Sequence, residues 1–294
     1  MRNMDLENRL FKHVKTLADE IGERSIVKPV KLRAAQDYIL NNLNDYGLET
    51  CMEPVCFMGI ETANIIGKTS NYRDSSKRYL VGAHYDTVES SPGADDNASG
   101  ISVLLELARF LNKQFAESSQ TAVKFVAFTL EEPPAFATPN MGSYIHAQNM
   151  IRADERIEGM ICLEMVGFRN SQVGSQKYPP GFLLFNRSHI GNFLCIVHDR
   201  QSRELSGSLL NTVRKTSNLP YVNVLAPFKG KLVPGSRMSD HRNFWDCGYK
   251  ALMITDTAFY RNPNYHTRSD TPETLDYVFM SELVTDLVTF LAAA

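Results

Sequence analysis

Short runs of apolar, β-branched and aromatic residues recur along this chain, separated by longer stretches of mixed polarity. The runs cover residues 61–68, 78–83, 122–130, 160–166, 181–186, 221–226 and 250–256. Several of them are apolar at nearly every position, a pattern that is typical of parallel strands buried on both faces of a sheet. They therefore predict a central sheet that is covered by helices on both sides.

The stretches between these runs show the spacing of α-helices. Apolar residues recur at helical intervals from Leu6 to Ile21, and further helical patterns cover residues 30–46, the stretch that follows DDNASG, and residues 276–292. Strands that alternate with helices indicate an α/β fold. We predict a single domain over residues 1–294, a three-layer α/β/α sandwich with a central, mostly parallel mixed sheet.

The composition excludes several functional classes. The net charge is −2 and basic residues form no block, which argues against binding of nucleic acid. No apolar run approaches the ~20 residues of a membrane span. The charged N-terminus has no signal-peptide core, so we expect a cytoplasmic protein unless a leader has been removed. A hydrophobic fraction of 43% can build a core without a structural metal, so we expect any metal site to be catalytic.

Metal-ligand residues follow four of the predicted strands. Because open parallel sheets carry their sites at the carboxyl ends of strands, these residues are expected to lie close together. A further acidic pair lies in the segment GADDNASG, just before a predicted helix. Imidazole and carboxylate groups together suit zinc and related divalent ions. The candidate ligands are His84, Asp96, Glu132, Glu164 and His266.

Two pairs of residues suggest how such a site would work. His84 and Asp86 are two apart in an extended segment, so the Asp86 carboxylate is expected to accept the second ring N–H of His84. Glu131 and Glu132 are adjacent at a strand end and point in different directions. One of them can therefore bind metal while the other faces the attacking water.

Six segments together resemble a known family of enzymes. They are AHYDTV (83–88), GADDNASG (93–100), FTLEE (128–132), LEMVG (163–167), SDHRNFW (239–245) and NYHTRSDTPETLD (264–276). In this order and spacing the chain resembles the co-catalytic di-zinc aminopeptidases. This family includes bacterial leucyl-type aminopeptidases and, more distantly, glutamate carboxypeptidases and glutaminyl cyclases. The resemblance runs from about Glu20 to the end of the chain.

The resemblance implies a zinc-exopeptidase fold and two Zn²⁺ ions per chain. His84 and Glu164 would bind one ion, Glu132 and His266 would bind the other, and Asp96 would bridge the two. The family usually has Asp at the position of Glu164, so this site departs from the pattern by one methylene group.

The resemblance also assigns three catalytic roles. Glu131 would be the general base, Asp86 would orient His84, and Tyr265 would stabilise the oxyanion. The implied activity is removal of N-terminal residues from peptides with a free N-terminus. The segment PPAFATPNMGS replaces the usual glycine-rich continuation after Glu132, which would change the rim of the cleft.

Two alternative functions remain open at this point. One is a glutaminyl-cyclase-like aminoacyltransferase that uses a single zinc, and the other is a catalytically silent relative that only binds metal. Two nearby residues are interpreted as non-ligands: Asp95 as a solvated or capping carboxylate, and His241 as a structural or pocket-lining residue. The irregular segment from Ala226 to Asp240 is expected to be functional because long irregular loops in compact domains often are.

Overall fold

An eight-stranded sheet with the strand order β1-β2-β4-β3-β5-β10-β8-β9 forms the centre of the fold. The computed structural model describes residues 4–115, 120–179 and 189–294, so the strand predicted at 181–186 lies outside the described residues. The first five strands are β1 (Glu49–Phe57), β2 (Ile60–Lys68), β3 (Lys77–His84), β4 (Thr121–Phe128) and β5 (Gly159–Glu164). The others are β8 (Leu194–His198), β9 (Tyr221–Leu225) and β10 (Ala251–Thr255), and a separate small sheet pairs β6 (Asn170–Val173) with β7 (Ile190–Gly191).

Helices cover both faces of the large sheet. They are α1 (Met4–Lys15), α2 (Pro29–Asp45), α3 (Gly100–Phe115), α4 (Gly142–Arg152), α5 (Arg203–Thr216), α6 (His241–Asp246) and α7 (Tyr277–Ala293). One apolar core contains residues of α1, α2, α3, α5 and α7, and the second contains residues of α4 and α6. Neighbouring residues of β3 enter different cores, Val81 the first and Leu80 the second. Burial on both faces explains why the predicted strands are apolar throughout.

The central strands of the sheet are parallel. β4, β3, β5 and β10 are parallel neighbours, whereas β2 joins β4 and β8 joins β10 in antiparallel register. The predicted three-layer sandwich with a mostly parallel mixed sheet is therefore confirmed. The carboxyl ends of four strands meet at one edge of the sheet, and the candidate ligands follow these strands.

Several predicted elements appear close to their expected bounds, including α2 and α7. The helical pattern at the N-terminus continues beyond α1 as a π-helical turn, Thr16–Ile21. Strands β1 and β8 are absent from the sequence prediction. In residues 4–115, 120–179 and 189–294, none of the helices has the length and apolar character needed to cross a bilayer.

Candidate active site

The fold brings all five predicted metal ligands together at the carboxyl edge of the parallel strands. His84 is the last residue of β3, and Glu164 is the last residue of its neighbour β5. Glu132 follows β4 on the other side of β3, Asp96 lies in the turn before α3, and His266 lies in the loop after β10. Three separate strand ends and two loops therefore supply one centre.

The ligands form two clusters that share Asp96. In the first cluster, His84 Nε2 lies 3.3 Å from Asp96 Oδ1 and 3.3 Å from Glu164 Oε2. In the second, His266 Nε2 lies 3.1 Å from Asp96 Oδ2 and 3.3 Å from Glu132 Oε1. Each oxygen of Asp96 thus faces a different cluster, which is the arrangement of a bridging carboxylate.

The chemistry of these residues fits a pair of zinc ions. The Nε2 atoms of His84 and His266 are buried and have no hydrogen-bond partner among the described residues, although carboxylate oxygens surround them. Buried polar nitrogens are rarely left without a partner, so this arrangement calls for another species between the side chains. Nitrogen and carboxylate oxygen ligands at each cluster match the preferences of zinc.

Electrostatics within the centre also favour the binding of a cation. Burial and the charge of Asp96 raise the pKa of Glu132 to about 8. Burial favours the neutral form of His266, but hydrogen bonds to Asp96 and Glu132 raise its pKa to about 10. Crowded carboxylates in a dry site repel one another, and a divalent cation relieves that repulsion.

Glu131 lies beside the first cluster, with Oε2 4.0 Å from His84 Nε2. The side chain is buried, and burial raises its pKa well above the ordinary value of a glutamate. Glu131 also forms a third group with His84 and Glu132, so its carboxylate lies close to these two candidate ligands. Its position fits a group that exchanges protons next to the metal ligands.

Asp86 contacts both the ring of His84 and the backbone of the glutamate pair. The ring nitrogen Nδ1 of His84 is 3.2 Å from the backbone carbonyl of Asp86 and 3.6 Å from its carboxylate. The hydrogen bond is therefore made by the carbonyl, and a proton on Nδ1 leaves the lone pair of Nε2 facing the cluster. The two carboxylate oxygens of Asp86 instead accept the backbone N–H groups of Glu131 and Glu132, at 3.1 and 3.0 Å.

Glu164 is held by a serine that the sequence analysis did not single out. Ser239 Oγ donates a hydrogen bond of 2.6 Å to Glu164 Oε2, and both residues are buried. Ser239 belongs to the segment SDHRNFW, so this family motif supplies the residue that holds Glu164 in place. The extra methylene of Glu164 does not remove it from the centre, because its carboxylate still reaches His84.

The bridging segment rests on two further buried acids. Asp270 accepts the backbone N–H groups of Asp95 and Asp96, at 2.9 and 3.1 Å. Asp95 accepts the N–H of Gly167 at 2.9 Å and the side-chain amide of Asn262 at 2.6 Å. Asp95 is fully buried, so its interpretation as a solvated carboxylate is wrong. It anchors the loop that carries the bridging ligand.

His241 and Tyr265 lie near the centre in different surroundings. His241 is buried, its Nε2 is 2.8 Å from the carbonyl of Ser236, and its ring packs edge-on against Trp245. Burial lowers its pKa to about 3, so it stays neutral and structural, as predicted. The ring of Tyr265 stacks on that of His266 at a centroid distance of 3.7 Å.

An apolar cavity opens beside the centre and encloses about 840 Å³ together with its mouth. Glu164 and Tyr265 line it at the centre, and Val197, Val224 and Met253 come from the neighbouring strands. Val233 and its neighbours belong to the loop between Ala226 and Asp240 that was expected to be functional. Concave, mostly apolar sites with a few polar groups at one end are typical of small-molecule and peptide binding.

Residues 64–287 match the sequence profile of Peptidase family M28, and this range contains every candidate ligand. The chain belongs to Peptidase family M28. Over 296 aligned residues it is 34% identical to the uncharacterised protein YfbL of Escherichia coli K12, which covers 96% of this chain and 87% of that protein. It spans about half, 51%, of a probable leucine aminopeptidase of Arthroderma benhamiae, at 26% identity.

Solved structures of M28-like fold are similar over almost the whole chain. The LapA aminopeptidase of Legionella pneumophila superposes with a TM-score of 0.75 at 19% identity, covering 99% of this chain and 73% of that one. A glutaminyl cyclase of Tannerella forsythia superposes with a TM-score of 0.72 at 19% identity, covering 98% of each chain. At this level of identity the likeness shows the fold, which both proteins share with this M28 chain.

Proposed function

We propose that this chain is an aminopeptidase that uses two zinc ions to remove the N-terminal residue from short peptides. The observation that supports this most directly is the pair of ligand clusters joined by the two oxygens of Asp96. The clusters have the residues for two cations, and Glu131 stands beside them without being needed as a bridging ligand. A centre with two metals and a neighbouring base is the equipment of metal-assisted hydrolysis.

The roles of the protein groups follow from their positions. When bound, the two zinc ions would polarise the scissile carbonyl and lower the pKa of the attacking water. Glu131 accepts the proton from that water and delivers it to the leaving amine. Asp86 keeps Glu131 in place by accepting its backbone N–H, and the Tyr265 hydroxyl donates a hydrogen bond to the developing oxyanion.

The substrate fits the centre by charge and by shape. With two zinc ions bound, the carboxylates of Asp96, Glu131, Glu132 and Glu164 would balance the charge of the metals, and their outer oxygens would accept hydrogen bonds from the N-terminal amine of a peptide. The adjoining cavity is mainly apolar, so it accepts an apolar first side chain such as leucine. Together these features favour peptides with a free N-terminus and an apolar first residue.

A glutaminyl-cyclase-like reaction is the second candidate. The fold matches the Tannerella forsythia glutaminyl cyclase over nearly the full length of both chains. In this chain, however, His84, Asp96 and Glu164 form a second group that could hold a metal ion, which a single-zinc transferase does not require. The aminopeptidase is therefore the better supported of the two functions.

One experiment separates the candidates. The zinc content of the metal-replete protein is measured, and the protein is assayed with a panel of aminoacyl-p-nitroanilides and with peptides that begin with glutamine. Two zinc ions and hydrolysis of the leucine anilide support the aminopeptidase. One zinc with cyclisation of N-terminal glutamine supports the transferase, and metal binding without turnover of any substrate supports a silent relative.

A further inference from the structure

Arg242 is a charged residue near the centre that the proposed mechanism does not use. It is the second residue of α6, directly after His241, and its side chain is partly exposed. Across residues 4–115, 120–179 and 189–294 its guanidinium makes neither an ion pair nor a hydrogen bond, and its Nε is buried without a partner. Its neighbour Arg237, by contrast, forms two hydrogen bonds with the carboxylate of Asp246.

Arg242 lies one turn after Ser239, the residue whose hydroxyl contacts the candidate ligand Glu164. The N–H of Arg242 donates to the carbonyl of Ser239, whose hydroxyl in turn holds Glu164. The backbone of Arg242 is therefore joined directly to the residue that holds Glu164.

Phe136 fixes the guanidinium of Arg242 at the rim of the cleft. The guanidinium lies 5.2 Å from the centroid of the Phe136 ring, within the range of a cation–π contact. Phe136 follows the catalytic pair by one turn, since its N–H donates to the carbonyl of Glu132 at 3.2 Å. The segment that carries Phe136 is the one that departs from the family pattern.

The leaving group of the proposed reaction must pass close to this arginine. Glu131 returns its proton to the leaving amine, so the second residue of the substrate extends past Glu131. Burial and the charge of Arg237 lower the pKa of Arg242, whereas the charges of Asp246 and Glu131 raise it, in keeping with the contact through Phe136 that links Arg242 to the glutamate pair. The apolar cavity lies on the side of Glu164 and Tyr265, and therefore takes the first side chain instead.

We propose that Arg242 binds a substrate carboxylate downstream of the scissile bond and thereby makes this chain selective for short or acidic peptides. The inference rests on the aminopeptidase function proposed above. In a dipeptide the terminal carboxylate is only two bonds from the leaving nitrogen, which brings it to the rim at Arg242. A guanidinium held by a ring and lacking a partner offers parallel N–H donors that match a carboxylate.

The test compares substrates that differ only in this carboxylate. For the zinc-loaded protein, kcat/KM is measured for Leu-Gly, for Leu-Gly-amide and for Leu-Asp-amide. A charge-assisted hydrogen bond predicts a preference of about tenfold or more for Leu-Gly over its amide. Rapid hydrolysis of Leu-Asp-amide would show that a side-chain carboxylate serves as well as a terminal one. Equal rates for all three substrates would overturn the proposal.

Variants assign the preference to Arg242. In Arg242→Gln the ratio of kcat/KM for Leu-Gly to that for its amide should fall toward one. The matched control is Arg200→Gln, because Arg200 is exposed and makes the same kind of contact with a ring, 5.8 Å from the centroid of Phe228. Arg200→Gln should keep the wild-type ratio. A ratio that survives in Arg242→Gln would contradict the assignment.

A binding measurement keeps this test separate from the proposed function. Calorimetric Kd values for Leu-Gly and its amide are compared in Glu131→Gln and in Glu131→Gln combined with Arg242→Gln. Tighter binding of the free acid that is lost with Arg242 supports the proposal whether or not turnover occurs, and equal binding of both ligands refutes it. Hydrolysis of the neutral leucine p-nitroanilide by the wild type reports on the aminopeptidase function alone.

Discussion

The hydrogen bond from Ser239 to Glu164 gives a direct way to test the ligand that departs from the family pattern. Ser239→Ala removes a buried donor 2.6 Å from Glu164 Oε2 and leaves the glutamate itself intact. A hydrogen bond to a charged group contributes about 1.5–3 kcal/mol. If that stabilisation appears in metal binding, zinc affinity at the cluster of His84, Asp96 and Glu164 should fall by about 10- to 100-fold.

The assay is a zinc titration against a competing chromophoric chelator, which resolves the two sites by affinity. Ser239→Ala should weaken one site and largely spare the other, because Glu132 and His266 receive no bond from Ser239. Activity lost at limiting zinc should return when zinc is raised to saturation.

A second serine provides a matched control for this substitution. Ser202 is fully buried and donates a hydrogen bond of 2.6 Å to the carboxylate of Asp199, far along the chain from any ligand. Ser202→Ala should lower stability without changing zinc affinity. The reasoning is refuted if the titration of Ser239→Ala superimposes on that of the wild type, or if both sites weaken equally.

Three further predictions follow from the site and the fold. Glu131→Gln should retain two zinc ions and lower kcat by about 10²–10⁴-fold, whereas Glu132→Gln should lose zinc; the reverse result would exchange the two roles. Removal of zinc with a chelator should abolish peptidase activity and lower Tm, and added zinc should restore both; an unchanged Tm would argue against ligation at the folded centre. Hydrogen bonds from His146, Asn149 and Asn64 outweigh burial and lower the pKa of Glu53 from 4.5 to about 2. The ionised carboxylate of Glu53 therefore stabilises the fold by on the order of 3 kcal/mol above pH ~4.5, and this stabilisation is lost as the pH falls toward 2. In urea unfolding, the loss of stability caused by Glu53→Gln should therefore be smaller at pH 3 than at pH 7. A loss of stability that does not depend on pH would contradict this.

The sequence predicted that the candidate ligands lie close together because most of them follow buried parallel strands. A strand that is apolar throughout has little freedom in its placement, and the residue after it must lie at the carboxyl edge of the sheet. His84 and Glu164 end adjacent parallel strands, so their proximity follows once the strands are identified. His266 is farther from its strand, and only its family motif connects it with Asp96.

Strands with an exposed face, and residues whose contacts come from distant parts of the chain, were harder to predict. Strand β1 pairs antiparallel with β2 at the edge of the sheet, and most of its residues are at least partly exposed, so it lacks the apolar run of a buried strand. Apart from the family resemblance, nothing in the sequence distinguishes Asp95 from its neighbour Asp96. Their different roles come from Gly167 and Asn262, which reach Asp95 from distant parts of the chain.

In the proposed aminopeptidase, Glu164 would connect metal binding with the choice of substrate. Its carboxylate lies 3.3 Å from His84 Nε2 and is held by Ser239, while the same side chain lines the apolar cavity. The carboxylate of Glu164 contacts both Ser239 and His84, whereas an aspartate at the end of β5 would be one methylene shorter. The longer side chain therefore fits the position of Ser239, and it brings the metal cluster to the wall of the cavity. If the first side chain of a peptide substrate occupies that cavity, as proposed, it would contact Glu164 directly, so its size and shape would act on the same carboxylate that is proposed to bind the metal.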